Sequence, residues 1–208
     1  MSGLVFDVEL ATCVPDYDGS RMAGYTYCAG WRDFLGMEIA CIGAMTTDGG
    51  VPQLWSYDLA GFWEEVTKYT HVVTFNGDQF DIPLLQSKRL FPLVPSYDIL
   101  AELWKAAGLD PMDFQPRSHG GFGLERIARD NLGVGKILSG AQAPREWQDG
   151  HRSRVYNYCL HDVWLTRELY ALIELGVPLV TKVGPLTLPR PSALYGPVDD
   201  AADSADAD

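Results

Sequence analysis

The chain lacks a CxxC pair: its four cysteines, Cys13, Cys28, Cys41 and Cys159, are scattered over 208 residues. That spacing excludes a zinc-ribbon site or a disulfide framework and suits a reducing compartment, with buried free thiols or at most a Cys13–Cys28 pair. No apolar run is long enough to span a bilayer. The best, "LYALIELGVPLV", is short and interrupted by Glu174. The N-terminal "MSGLVFDVEL" has no basic residue ahead of its apolar ones, so no export signal is expected and the location is read as cytoplasmic, away from membranes.

Positive charge is also scarce. The formal net charge is −12, from 16 basic and 28 acidic residues. The imbalance is uneven. The C-terminal "DDAADSADAD" carries five aspartates with no basic or bulky apolar residue, the composition of a disordered segment. Between Arg117 and Arg154, seven basic residues face four acids, a local balance of +3 that leaves −15 for the rest. Such a region either binds a polyanion or is a solvated helical surface.

Periodicity gives one α/β domain, residues 1–190, followed by an acidic tail, 191–208. The expected elements begin with a strand at 4–10 and a long Gly-, Tyr- and Asp-rich loop at 11–37. Two strand-like runs at 37–47 and 51–59 flank an Asp-Gly-Gly turn. A helix around "AGFWEEVTKYT", a short strand "HVVTFNG" and a helix "FDIPLLQSKRLFP" closed by Pro92 follow. "PSYDIL" reads as a fifth strand, with Asp98 capping the next helix. "GLERIARDNLGVG" has helical spacing with Gly133 as its stop, and the last long helix runs from about Ser153 to Leu175 before a short hairpin. Strands that meander first and alternate with helices later define a mixed sheet.

Several carboxylates are badly placed for stability alone. In "LVFDVEL", alternation sends Leu4, Phe6, Val8 and Leu10 to one face and Val5, Asp7 and Glu9 to the other. Burying an unpaired carboxylate costs several kcal/mol, so this strand is half-exposed or something neutralises its acids. In the last helix Tyr158, Asp162, Leu165, Leu169 and Leu172 form one stripe, spaced 4, 3, 4 and 3, and the leucines mark it as inward. Asp81, in "FNGDQFDIPLL", is a third inward acid unless it only caps a helix. Four acids on strand, turn and helix that converge would repel strongly, and carboxylate oxygens suit hard divalent cations, Mg²⁺ or Mn²⁺.

The set Asp7-x-Glu9, then "NGDQFD" from Asn76 to Asp81, then Tyr158-x-x-x-Asp162 resembles the DEDD superfamily of 3′→5′ exonucleases. Within it the chain looks most like predicted exonucleases related to the proofreading domain of family B DNA polymerases. The Tyr-x-x-x-Asp spacing is that of the DEDDy branch; the sister branch has a His where this chain has Asn157. The resemblance covers roughly residues 4 to 175. It departs from the pattern at Leu10, where Thr is frequent, and in the length of the 11–37 loop.

The resemblance implies an RNase H-like fold, a five-stranded mixed sheet flanked by helices, holding two divalent cations. It implies Asp7, Glu9, Asp81 and Asp162 as ligands, with Asp7 shared between the ions. Tyr158 would orient the attacking water, since a phenol with its usual pKa near 10 is a poor base. Asn76 and Phe80 match positions that contact terminal nucleotides; for Phe80, packing under the sheet is the alternative to stacking. The implied reaction is stepwise hydrolysis of phosphodiester bonds from a free 3′ end, releasing nucleoside 5′-monophosphates, with single-stranded DNA favoured and replication or repair proteins as partners. An accessory module that binds nucleic acid and a structure-specific endonuclease are the competing functions. The intact acids and Tyr158 favour an enzyme.

Overall fold

The computed structural model describes residues 3–16 and 18–195. Strand β1 (Leu4–Leu10) is the middle of a five-stranded sheet. On one side it pairs antiparallel with β2 (Ile39–Thr46), and β2 pairs antiparallel with the short edge strand β3 (Gln53–Trp55). On the other side it runs parallel to β4 (Val72–Thr74), and β4 to β5 (Ser96–Asp98). This is the mixed sheet expected from the sequence. The segments 37–47 and 51–59 shrink to eight and three strand residues. Within 11–37 the described residues contain no strand or helix, only turns and one bridge between Cys13 and Tyr27.

Alternation in β1 builds two cores. Leu4, Phe6, Val8 and Leu10 pack with Phe62 and Val66 of α1 (Ala60–Val66) and Leu84 and Leu85 of α2 (Asp81–Ser87). Val5 faces the opposite layer, α3 (Ile99–Ala106), α5 (Leu124–Leu132) and the 23-residue α7 (Arg152–Glu174). Two short helices that periodicity did not announce, α4 (Pro116–His119) and α6 (Ala143–Gln148), each carry a proline in their first turn, where its missing N–H costs nothing. α5 stops at Gly133, which adopts the left-handed conformation that glycine tolerates.

The position of α7 depends on Gly43, the ladder partner of Asp7. A Cβ at Gly43 would meet Cys159 Sγ at 2.9 Å and side chains of Leu160 and Val163 at 3.3 Å. The missing side chain lets α7 lie directly on β1 and β2, over the stretch of β1 that carries Asp7.

After α7 come a small hairpin, β6 (Leu179–Thr181) and β7 (Gly184–Leu186), and α8 (Pro191–Tyr195). Residues 191–195, assigned by composition to the tail, are instead tied to the body. Ser192 donates twice to the Glu174 carboxylate, and Tyr195 Oη donates to Ser96 O at 2.8 Å. The aspartate run 199–208 lies outside the described residues. All four cysteines are free and buried, so the optional Cys13–Cys28 bridge is not formed. Among the described residues no helix is long and apolar enough to cross a membrane.

Candidate active site

One large cavity, about 800 Å³, opens over the C-terminal half of β1. Asp7, Glu9, Asn76, Phe80, Asp81, Tyr158 and Asp162 all line it. Oxygens of Asp7, Glu9 and Asp162 lie within 4.8 Å of one another. Glu9 and Asp162 are buried, while Asp7 keeps part of its surface open. Alternation on β1 and the inward stripe of α7 therefore do converge, through the contact that Gly43 permits.

Asp81 is beside this trio but outside it. It is the first residue of α2, not the cap, and its Oδ1 accepts the Val8 N–H at 3.2 Å, anchoring the carboxylate to β1 between Asp7 and Glu9. The turn before it is held by Asp98. Oδ1 of that residue accepts from Asn76 N at 2.8 Å and from Leu100 N at 2.9 Å, and Oδ2 accepts from Asp78 N at 3.1 Å. Asp98 is thus the N-cap of α3, as expected, and also the staple of the Asn76 turn. That turn needs a staple because Asn76 sits at φ 74°, a strained value outside glycine. Phe80 combines both of its readings. It is partly buried against the core under β1, it lines the cavity, and it meets Phe34 and Trp31 edge-on at 6.1 and 6.2 Å.

Burial sets the electrostatics. It pushes the Asp7 carboxyl up to about 7, with Asp162 adding to the shift and Lys136 opposing it. Glu9 is raised well above the usual range by burial and by Asp7, and Asp81 by burial, Asp7 and Asp98. Asp162 is raised by burial even though Lys136 pulls the other way. Burial, and then Glu9, Asp162 and Asp7, drive the Tyr158 hydroxyl far upward, so it stays protonated. A site of acids that resist ionisation in the bare protein is one that lacks positive charge.

Lys136 is the residue that sequence reading passed over. Its Nζ pairs with Asp162 Oδ2 at 2.5 Å and sits 4.9 Å from the centre of the Tyr158 ring. Burial works to lower the ammonium, but Asp162, Asp7 and Glu9 outweigh it and hold it above its ordinary value. Of the seven basic residues between 117 and 154, Lys136 alone lines the cavity. Arg126, Arg129 and Arg154 are spent on Asp130, Glu125 and Glu146, so these three belong to a solvated helical surface. The available signal was a lone lysine in the short loop "GVGKIL", with glycine before it and apolar residues after.

One ammonium against four carboxylates leaves a formal −3 when all are ionised. Asp162 Oδ1 is buried without a hydrogen-bond partner. An orphaned carboxylate oxygen is costly unless something meets it, and hard oxygen donors in a tight group fit a divalent cation. His161, next to Asp162, takes no part; its Nε2 faces Gly135 O at 2.9 Å.

An acid-lined cavity at the centre of a mixed five-stranded sheet is the arrangement of a nuclease fold, and comparison with known proteins agrees. The model of the RNase H superfamily matches residues 52–174, and the chain belongs to that superfamily. The matched stretch contains Asp81, Tyr158 and Asp162, whereas Asp7 and Glu9 precede it. Among solved structures, the family B DNA polymerase from the hyperthermophilic archaeon Pyrobaculum calidifontis has a similar fold, with a TM-score of 0.54 and 19% sequence identity. The likeness covers 85% of this chain and 25% of the polymerase chain. No curated protein sequence matches the chain.

Proposed function

We propose that the chain is a metal-dependent 3′→5′ exonuclease of the DEDDy type, acting on single-stranded DNA ends. The observation that carries this reading is the buried Asp162, grouped with Asp7 and Glu9 within 4.8 Å, next to Tyr158, and with Oδ1 buried and without a hydrogen-bond partner. A module that only binds nucleic acid gains nothing from such a costly group.

Asp7, Glu9, Asp162 and Asp81 would hold two Mg²⁺ or Mn²⁺ ions. When bound, the ions supply Lewis acidity that stabilises charge on the attacking and leaving oxygens of an in-line displacement at phosphorus. The residues supply position. Lys136 holds Asp162 through Oδ2 and leaves Oδ1 without a hydrogen bond. The protonated Tyr158 hydroxyl, fixed one helical turn from Asp162, orients the attacking water and does not deprotonate it. Asp98 fixes the turn that presents Asn76 and Phe80 to the terminal nucleotide. Water adds to the terminal phosphorus, the bond to the 3′ oxygen of the preceding sugar breaks, and a nucleoside 5′-monophosphate leaves a new 3′-hydroxyl end.

The test is a cleavage assay on 5′-labelled single-stranded and duplex DNA and RNA, with Mg²⁺, with Mn²⁺ and with EDTA. A ladder that shortens one nucleotide at a time, only with metal and fastest on single-stranded DNA, supports the reading. Binding without cleavage under every condition overturns it.

A further inference from the structure

The exonuclease reading leaves unused the loop between β1 and β2, which brings Trp31 and Arg32 to the cavity. Their turn is built. Asp33 accepts from Ala29 N at 2.8 Å through Oδ2 and from Gly36 N at 3.1 Å through Oδ1. The next residues are fastened to the end of α2, Phe34 O by Ser87 Oγ at 3.3 Å and Leu35 O by the Lys88 ammonium at 2.7 Å. Met37 is fully buried and anchors the far end of the loop. The turn therefore rides on the helix whose first residue is Asp81.

Two properties of the pair go beyond packing. Trp31 is 48% exposed while its ring meets Phe80, a ring that itself lines the cavity, so the two form one aromatic corner at the wall. Arg32 makes no hydrogen bond or ion pair among the described residues, whereas the arginines of α5 and the Arg154 of α7 are paired with carboxylates. Lys136, the other cavity-lining Lys or Arg, is taken by Asp162. A free guanidinium on the wall of a cavity with acids at its floor is placed for an anion that enters from outside. Its geometry suits phosphate, and an exposed indole suits a base, because every base has a π face.

We propose that Trp31 and Arg32 clamp the 3′ end of the substrate: Trp31, with Phe80, stacks on a terminal base, and Arg32 binds a backbone phosphate. The clamp rests on the exonuclease reading for the identity of its ligand, a single-stranded 3′-terminal segment of any sequence.

The test is fluorescence anisotropy with a 5′-labelled hexathymidylate in Mg²⁺, its last linkage carrying a methylene in place of the 3′ bridging oxygen so that it binds without being cut. A second strand lacks its 3′-terminal base. Both side chains are exposed, so the variants are expected to fold. Trp31→Ala should weaken binding of the complete strand roughly 5- to 150-fold, leave the salt dependence unchanged, and have little effect on the strand without its terminal base. Trp31→Phe should restore most of the loss. Arg32→Ala should weaken both strands and lower the slope of log affinity against log salt by about 0.7. Parent-like binding of both strands by both variants overturns the clamp, as does an equal loss on both strands in Trp31→Ala. Cleavage of an ordinary strand by the parent separates the two claims. A parent that cuts while the variants bind normally loses only the clamp; a parent that never cuts while the variants bind weakly loses only the exonuclease reading.

Discussion

Asp162, which is buried, and Lys136, which is partly buried, form an ion pair that uses one carboxylate oxygen and leaves the other unmet: Oδ2 lies 2.5 Å from the ammonium, and Oδ1 has no hydrogen-bond partner. An unmet oxygen on a buried carboxylate is costly for stability. Removing one member of a buried pair costs about 3–5 kcal/mol, because the survivor is left uncompensated. Lys136→Met should therefore lower stability by about that amount in EDTA at pH 8. Added Mn²⁺ should recover part of it, giving a larger metal-induced rise in Tm than in the parent. A variant as stable as the parent in EDTA would show that Lys136 does not neutralise the acids.

Tyr158 separates this reading from a generic metal site. Tyr158→Phe keeps the buried ring under Lys136 and deletes only the hydroxyl. Turnover should fall roughly 10- to 1,000-fold, the loss expected for one positioning hydrogen bond, with the metal-induced Tm shift unchanged. Unchanged turnover would remove Tyr158 from the mechanism.

Asp81 has two jobs that two substitutions divide. Asp81→Ala strands the Val8 N–H inside the sheet and should cost about 1–3 kcal/mol of stability. Asp81→Asn keeps an acceptor for that N–H and should preserve the fold while metal-dependent cleavage drops at least tenfold. If Asp81→Asn cleaves like the parent, the residue is a backbone anchor only.

The metal-free protein should lose stability as pH rises, against the usual trend. Asp7 is raised from 3.8 to about 7 and Asp98 from 3.8 to about 6, both mainly by burial. Between their unfolded and folded pKa values the folded state binds more protons than the unfolded chain, so stability falls with pH. The slope is at most about 1.4 kcal/mol per pH unit for each group. Asp33 and Glu65, held low by hydrogen bonds, act in the opposite sense at more acidic pH, and His71, lowered from 6.5 by burial, opposes the trend within pH 5 to 7, where the several raised carboxylates outnumber it. Thermal melts in EDTA should show Tm declining across that window, and saturating Mn²⁺ should flatten the decline. A Tm that rises with pH in EDTA would contradict the burial of these acids.

Much of the site was legible because it is carried by local periodicity. Period 2 in "LVFDVEL" put Asp7 and Glu9 on one face, and spacing by 3 and 4 in α7 put Tyr158 and Asp162 on another. What the sequence withheld depends on contacts between distant segments. Lys136 sits in a loop with no period, and its meaning comes only from Asp162 across the cavity. Gly43 looks like a weak point in a strand until Cys159 is seen against it. Trp31 and Arg32 lie in a loop without pattern, and α8 was hidden by the acidic composition that follows it. For the basic stretch 117–154, which the sequence left open between a polyanion site and a solvated surface, Arg126 and Arg129 go to i,i+4 pairs with Asp130 and Glu125.

The most direct measurement of the central claim follows the fate of a 3′ end in the parent and in Asp7→Ala. With Mn²⁺, a 3′-labelled single strand should yield labelled mononucleotide as the first product. A strand ending in 3′-phosphate should resist, a circular single strand should stay intact, and Asp7→Ala should be inactive while remaining folded. Internal cuts in the circle, or parent-like cleavage by Asp7→Ala, would contradict the account.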